Sequence, residues 1–189
     1  MQKLLLALAL AASLPLVTGC VPAAVVGAGT VAVMTDDRRT TGIYVEDENI
    51  EWKTYSRLND ARSRGAHVNA VSYNRKVLLT GEAPSEELKK EIGEAISRIQ
   101  SVVDVANELQ VAGASSLTAR GNDSLVTTNV KTRMINNGKF STSHVKVVTE
   151  ASTVYLMGIV TQAEGDAAAE IARTTSGVRG VVKVFEYMK

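Results

Sequence analysis

The chain has 189 residues, with 21 basic and 20 acidic side chains and a single cysteine. This length suffices for one ordinary domain or two small ones. The balanced charge argues against a general polyanion-binding protein, so we expect no nucleic-acid partner. One cysteine excludes an internal disulfide and a cysteine-based metal site.

Residues 1–19 have the pattern of a secretory signal: Lys3 supplies the positive start, an apolar stretch follows, and small residues precede Cys20. The apolar stretch is too short to span a bilayer. The sequence Leu16-Val17-Thr18-Gly19-Cys20 resembles the bacterial lipobox, which implies cleavage before Cys20 and acylation of that residue. Three acyl chains would hold the protein on a membrane almost permanently, because one chain alone binds only marginally. An ordinary secreted protein with a stray cysteine is the alternative.

The stretch after Cys20 favours the outer membrane, because Val21 rather than an aspartate follows the cysteine, as in enterobacterial sorting. Residues 21–34 carry no charge and are too few to cross a bilayer. We therefore predict a flexible, lipidated tether over residues 20–42.

The rest of the chain contains an internal repeat. Val77-Leu78-Leu79-Thr80-Gly81 recurs as Val154-Tyr155-Leu156-Met157-Gly158, and His67 and His144 show the same offset of 77. A constant offset through a whole hairpin indicates two copies of one supersecondary unit.

Each copy is predicted to run helix, strand, strand, helix, strand. The first helix of copy two is expected to start behind Asp123 or Ser124 as a cap and to bury every fourth residue from Val126. In copy one, Pro84-Ser85-Glu86-Glu87 marks the start of the second helix.

The sequence thus predicts an α+β protein built from two tandem αββαβ domains. We place the domains at residues 43–111 and 122–189, with a linker at residues 112–121 whose Gly, Ala and Ser content suits a connector.

The hairpin pattern Val-x-Leu-x-Gly and the closing Gly177-Val178-x-x-Val181 resemble the BON domain, an αββαβ module of bacterial secreted and membrane-associated proteins. Two such modules behind a lipobox resemble the dual-BON outer-membrane lipoproteins of γ-proteobacteria. The resemblance implies phospholipid binding, a lipid-anchored place on the periplasmic face of the outer membrane, envelope integrity and the division site. Copy one departs from the pattern, because Ser101 replaces an expected glycine and Arg75-Lys76 occupy a turn where glycine is common.

Charge distinguishes the two copies. Residues 43–111 carry nine basic and twelve acidic side chains, whereas residues 120–189 carry nine basic and six acidic ones. Each Lys or Arg near an anionic leaflet contributes on the order of 1 kcal/mol of attraction. Copy two is therefore the predicted membrane-facing domain.

The helix that starts near Leu125 has a second apolar side, opposite its buried stripe. We expect Leu125 and Ile135 to insert shallowly into an anionic bilayer while nearby basic side chains meet phosphates. The predicted phospholipid-binding residues are Leu125, Thr128, Lys131, Thr132, Arg133, Ile135 and Lys139.

The alternative is a lipid-anchored adaptor, in which the same helix face or the acidic copy one docks an envelope assembly or division protein. Trp52, in the first helix of copy one, fits either a core or an interface position. We predict no enzyme, because no nucleophile-elbow glycine pattern is present. We also predict no cofactor and no metal site, because His67 and His144 lie far apart in sequence at equivalent repeat positions.

Overall fold

A computed structural model describes residues 36–188. The helices are α1 (Thr41–Ser63), α2 (Glu86–Ser97), α3 (Leu117–Ile135) and α4 (Gln162–Arg173). The strands are β1 (His67–Tyr73), β2 (Lys76–Ala83), β3 (Asp104–Asn107), β4 (Gln110–Val111), β5 (Lys146–Glu150), β6 (Thr153–Val160) and β7 (Gly180–Tyr187). A single 3-10 turn, Thr142–His144, precedes β5. The predicted α+β fold with two αββαβ repeats is confirmed.

The two repeats build two separate sheets. In the N-terminal repeat (residues 41–111), β1 pairs antiparallel with β2, and β2 pairs parallel with β3 and β4. In the C-terminal repeat (residues 117–187), β5 pairs antiparallel with β6, and β6 pairs parallel with β7. Each parallel pair is joined by a crossover helix, α2 or α4, as parallel strands require.

Polar caps fix the starts of the crossover helices. The side chain of Ser85 accepts a hydrogen bond from the backbone of Leu88, which confirms the predicted start of α2. Thr161 and Glu164 form a reciprocal capping box at the start of α4.

The start of α3 was predicted wrongly. The helix begins at Leu117, and Ser116 caps it by accepting a hydrogen bond from Ala119, so that residues 117–121 of the expected linker are helical. Gly121 lowers the helix propensity of residues 117–121. The sequence therefore favoured a helix start after this glycine, with Asp123 as the cap. Asp123 instead lies buried inside the helix.

Buried aspartates in α1 and α3 hold the two hairpin turns. Asp47 accepts hydrogen bonds from the backbone of Asn74 and Arg75, at 2.8 and 2.7 Å. Asp123 accepts them from Ala151 and Ser152, at 3.0 and 2.8 Å. All four turn residues have φ between 48° and 64°, which is the conformation of a type I′ turn.

A close backbone approach explains the glycine of the repeated hairpin motif. A Cβ atom at Gly81 would lie 2.2 Å from the carbonyl oxygen of His67, and one at Gly158 would lie 2.1 Å from that of His144. No side chain fits in that space, so both positions require glycine.

The two sheets pack against each other. Helices α1 and α2 cover one face of the N-terminal sheet, and α3 and α4 cover one face of the C-terminal sheet. The opposite faces meet in a third apolar cluster around Tyr73, Leu78, Tyr155 and Met157. Residues 36–188 therefore contain hydrophobic cores of their own, and we expect this part of the chain to fold without the preceding segment.

Residues 36–42 do not form a free tether. Thr40 caps α1, so Thr41 and Gly42 are helical. Arg38 donates to both carboxylate oxygens of Glu164, at 2.7 and 2.8 Å, and the carboxylate of Asp36 accepts from Ser141 and Ser143. The segment before α1 is thus attached to the C-terminal repeat.

The predicted signal segment, lipobox, Cys20 and the first part of the tether lie outside the described residues. Among the helices within residues 36–188, none is both long and apolar enough to cross a membrane.

Candidate functional site

Helix α3 exposes a row of large aliphatic side chains. Leu117, Leu125 and Ile135 are 81%, 64% and 67% exposed. Leu117 and Ile135 are 18 residues apart, which corresponds to ~27 Å along an α-helix and to the same side of it. Leu125 and Ile135 lie where the sequence predicted them. Leu117 extends the row by two turns and was missed, because the helix was expected to start later.

Thr128 and Thr132 lie between these aliphatics on the exposed side of α3. The Thr128 hydroxyl donates to the carbonyl of Ser124 at 3.0 Å, and the Thr132 hydroxyl donates to the carbonyl of Thr128 at 2.9 Å. Both hydroxyl protons are therefore already hydrogen-bonded inside the helix. The free-energy cost of removing this face from water is lower for that reason.

Two lysines flank the C-terminal half of the row. Lys131 and Lys139 are exposed, and within the described part of the chain neither forms an ion pair. Their ammonium groups are therefore free to meet an anionic ligand.

Arg133 makes contacts within the C-terminal repeat that the sequence did not predict. Its guanidinium donates to the carbonyl of Ile171 at 3.0 Å and to the hydroxyls of Thr175 and Thr174 at 2.7 and 3.1 Å. A cation that bonds the carbonyl end of a helix stabilises that end, so these contacts hold α4 against α3. Three of the five guanidinium N–H donors are engaged in this way, which leaves Arg133 fewer donors for a headgroup, and its predicted phospholipid contact stays a prediction.

A cleft of about 410 Å³ lies beside this surface, between the two repeats. Lys131 and Ile135 of α3 line one wall, and Tyr44 and Glu48 of α1 line the other. Arg39 also lines the cleft, and its guanidinium forms an ion pair with Asp47. The exposed row of α3 therefore continues into a groove that both repeats form.

The sequence profile of the BON domain matches residues 46–113 and 122–189, which cover nearly all of the two αββαβ repeats. The chain belongs to the BON-domain family. BON domain 1 is the N-terminal repeat, and BON domain 2 is the C-terminal repeat.

Relatives with two thirds or more of their length covered support this assignment. The chain is 42% identical to "Outer membrane lipoprotein DolP" of Haemophilus influenzae, over 90% of this chain and 89% of that protein. It is 34% identical to "21 kDa hemolysin" of Actinobacillus pleuropneumoniae, over 81% of this chain and 80% of that protein. It is 26% identical to "Osmotically-inducible protein Y" of Escherichia coli, over 74% of this chain and 72% of that protein.

The equivalent helix of BON domain 1 also exposes apolar side chains. Trp52 is 76% exposed, which excludes the core position that the sequence left open, and Val45 and Tyr55 are 52% and 43% exposed. Charges of both signs accompany them on α1: Glu48 and Glu51 lie near Trp52, and the Arg62 guanidinium lies 4.9 Å from the centre of the Tyr55 ring. The apolar surface of α1 is therefore mixed in charge, whereas the charged side chains on the exposed side of α3 are basic.

Proposed function

We propose that this chain is an outer-membrane lipoprotein that binds anionic phospholipid through BON domain 2 and supports outer-membrane integrity. The observation that carries the proposal is the row of exposed aliphatics on α3, with two lysines beside it that form no ion pair within residues 36–188. A helix of this kind lies in the plane of a membrane, with its aliphatics below the headgroups and its lysines at the phosphates. The proposed contacts are Leu117, Leu125, Thr128, Lys131, Thr132, Ile135 and Lys139.

The name of the Haemophilus relative supports the proposed outer-membrane location. Cys20 is the proposed lipid anchor, as the lipobox resemblance implies. Action at the division site is implied by the same resemblance and stays a prediction.

The attachment of residues 36–40 limits how far from α3 the proposed anchor can lie. The Asp36 carboxylate accepts hydrogen bonds from the hydroxyls of Ser141 and Ser143. These serines follow shortly after the end of α3 at Ile135. Cys20 and Asp36 are 16 residues apart, and a chain of that length spans at most ~55 Å. The anchor and the exposed row of α3 can therefore reach the same leaflet.

Vesicle co-sedimentation of residues 36–189 tests the lipid proposal without the apolar N-terminus. We expect binding to vesicles rich in phosphatidylglycerol, weak binding to zwitterionic vesicles, and loss of binding at high salt. Ile135→Asp and Leu117→Asp should each reduce binding about tenfold or more, because a charge replaces a side chain that enters the interface.

Val103→Asp is the matched control, since Val103 is 69% exposed on BON domain 1. It introduces the same charge on an exposed aliphatic position and should leave vesicle binding unchanged. Equal loss in Val103→Asp and Ile135→Asp would mean that net charge, and not the α3 surface, determines binding. No binding to either vesicle would overturn the lipid proposal.

A protein-docking role is the second candidate, and Trp52 is the observation that favours it. Trp and Tyr are enriched at the energetic centres of protein interfaces, and α1 exposes Trp52 and Tyr55 beside charges of both signs. The partner would be an envelope assembly or division protein whose surface buries these two aromatic rings. Trp52→Asp should then abolish capture of that partner while leaving vesicle binding intact.

A further inference from the structure

Three ligand-forming side chains from both BON domains meet at the junction of the two sheets. His67 is the first residue of β1, Glu82 lies opposite it on β2, and Glu150 ends β5 of the other domain. One donor atom from each lies within 4.8 Å of the others. His67 Nδ1 is 2.9 Å from Glu82 Oε2.

Within residues 36–188, neither carboxylate forms an ion pair with a lysine or an arginine. Glu82 and Glu150 are each only 6% exposed. The imidazole of His67 carries at most one positive charge, so it cannot neutralise both carboxylates. Buried carboxylates are costly unless they are paired or coordinate a metal.

Neighbouring side chains hold Glu150 in place from the other domain. Asn69 donates to Glu150 Oε2 at 2.7 Å, and the Thr80 hydroxyl donates to the same oxygen at 3.3 Å. Hydrogen bonds of this kind fix a carboxylate ligand and leave its second oxygen for coordination.

The fold itself does not require these carboxylates. At the repeat offset of 77, the counterpart of Glu82 in BON domain 2 is Ile159, and the counterpart of Glu150 in BON domain 1 is Tyr73. Only the histidine position is shared, as His67 and His144. The two carboxylates are therefore not part of the repeated hairpin pattern, and both lie beside His67.

We propose that His67, Glu82 and Glu150 bind one Zn²⁺ ion and that this ion joins the two BON domains. One imidazole nitrogen and two carboxylate oxygens are a zinc ligand set with a fourth position for water, whereas Ca²⁺ and Mg²⁺ prefer oxygen ligands alone. Zinc ligand distances of about 2.0–2.2 Å require the three donor atoms to draw closer, which rotation of the glutamate side chains supplies. The prediction of no metal site rested on the separation of His67 and His144 in the sequence. The structure instead places two carboxylates, those of Glu82 and Glu150, beside His67.

Competition with a chromophoric zinc chelator tests the proposal on residues 36–189, which contain no cysteine. We expect one Zn²⁺ per chain, with binding weakened at least about tenfold in Glu150→Gln and in His67→Asn. The glutamine keeps an oxygen that accepts from Asn69 and Thr80, so this variant preserves the apo fold. Circular dichroism without metal checks that point.

His144→Asn is the control, because it removes the equivalent histidine of BON domain 2 and should leave zinc affinity unchanged. Thermal unfolding gives a second readout: Zn²⁺ should raise the midpoint of the unsubstituted chain and not that of Glu150→Gln. The proposal would be overturned if no binding were detected at a zinc concentration of about 100 micromolar. It would also be overturned if all variants had equal zinc affinity, or if His144→Asn lost as much affinity as His67→Asn. Tighter binding of Ca²⁺ than of Zn²⁺ would also overturn it, because His67 would then not be a ligand. A negative result leaves the lipid proposal intact, since the cluster is not on α3.

Discussion

Asp123 holds the hairpin turn of BON domain 2 in the same way that Asp47 holds the hairpin turn of BON domain 1. Each carboxylate is buried in the first helix of its domain and accepts the two backbone N–H groups of the turn between the first two strands. The two aspartates are 76 residues apart, so they are part of the internal repeat. Each joins a helix to a hairpin that is distant from it in sequence.

Replacing Asp123 should destabilise BON domain 2. Asp123→Ala leaves two backbone donors near α3 without acceptors, and we expect a loss of about 2–4 kcal/mol in the free energy of unfolding. Asp123→Asn retains one acceptor and should cost less. Urea unfolding of residues 36–189 measures both. Glu170→Gln, an exposed change on α4, is the control and should alter the free energy of unfolding by less than about 0.5 kcal/mol. If Asp123→Ala were as stable as this control, the role assigned to Asp123 would be contradicted.

Ser101→Gly should stabilise the protein. Ser101 has φ of 74°, the left-handed region, at the position where BON domain 2 has Gly177 with φ of 89°. Glycine adopts this conformation without the strain that a Cβ atom imposes, so we expect a gain of about 0.5–1 kcal/mol.

The reciprocal change, Gly177→Ser, checks the same reasoning. It adds the strain and also a Cβ atom only 2.9 Å from Val126 Cγ2, so it should destabilise by more than Ser101→Gly stabilises. Thermal unfolding compares the two variants. A loss of stability in Ser101→Gly would show that the serine side chain makes a contribution larger than the backbone strain.

The repeat made most of the secondary structure predictable. Hydrophobic periodicity and a constant offset located the helices and hairpins, because those signals are local in sequence. The packing of sheet on sheet was missed, although it had a signal: Val77-Leu78-Leu79 and Val154-Tyr155-Leu156-Met157 are apolar at every position instead of alternating. Strands with both faces buried have this continuous pattern.

The candidate site was predictable only in part. Exposure of Leu125 and Ile135 follows from helix geometry and from the position of the buried stripe. The engagement of Arg133 with α4 depends on where a distant helix ends, and the His67 cluster depends on the contact between domains. No spacing rule within one helix or strand reports such contacts.

The contact between the sheets should make the two BON domains unfold together. Leu78 is 1% exposed and packs in the cluster that both domains share. Leu78→Ala creates a cavity there, and we expect a loss of about 2–4 kcal/mol. Amide hydrogen exchange in urea, followed separately in peptides of BON domain 1 and of BON domain 2, should give coincident unfolding transitions for the unsubstituted chain and separate ones for Leu78→Ala. Val103→Ala, at an exposed position, is the control, and coincident transitions in Leu78→Ala would mean that other contacts couple the domains.

Lys131 and Lys139 should set the salt dependence of vesicle binding. Each contributes on the order of 1 kcal/mol at an anionic surface, so Lys131→Gln and Lys139→Gln should each weaken binding to phosphatidylglycerol vesicles about fivefold at low salt. The double variant should lose most of its response to salt, because screening acts on these charges. Lys183→Gln is the matched control, since its ammonium group already pairs with Asp166 at 2.7 Å. Equal weakening in all three single variants would show that only the net charge of the domain matters.

The ion pair between Arg38 and Glu164 predicts an acid-dependent loss of stability. The Arg38 guanidinium, together with Thr161, lowers the pKa of the Glu164 carboxyl from 4.5 to about 2. Since the folded-state value lies below the unfolded value, the pair stabilises the fold above pH 4.5, and this contribution is lost as the pH falls toward 2.

Arg38→Gln should therefore lower the free energy of unfolding by about 1–2 kcal/mol at neutral pH, as for a partly buried bidentate pair. The difference from the unsubstituted chain should shrink between pH 4.5 and 2.5, measured by urea unfolding at several pH values. His144 lies 3.5 Å from Glu164 and Asp36 lies 3.7 Å from His144, but both chains contain these residues, so the difference isolates the effect of Arg38. A difference that stays constant down to pH 2.5 would mean that Arg38 acts through its bond to the carbonyl of Ile159 and not through the carboxylate. Arg173→Gln, which breaks an exposed pair with Glu170, should change stability by less than about 0.5 kcal/mol.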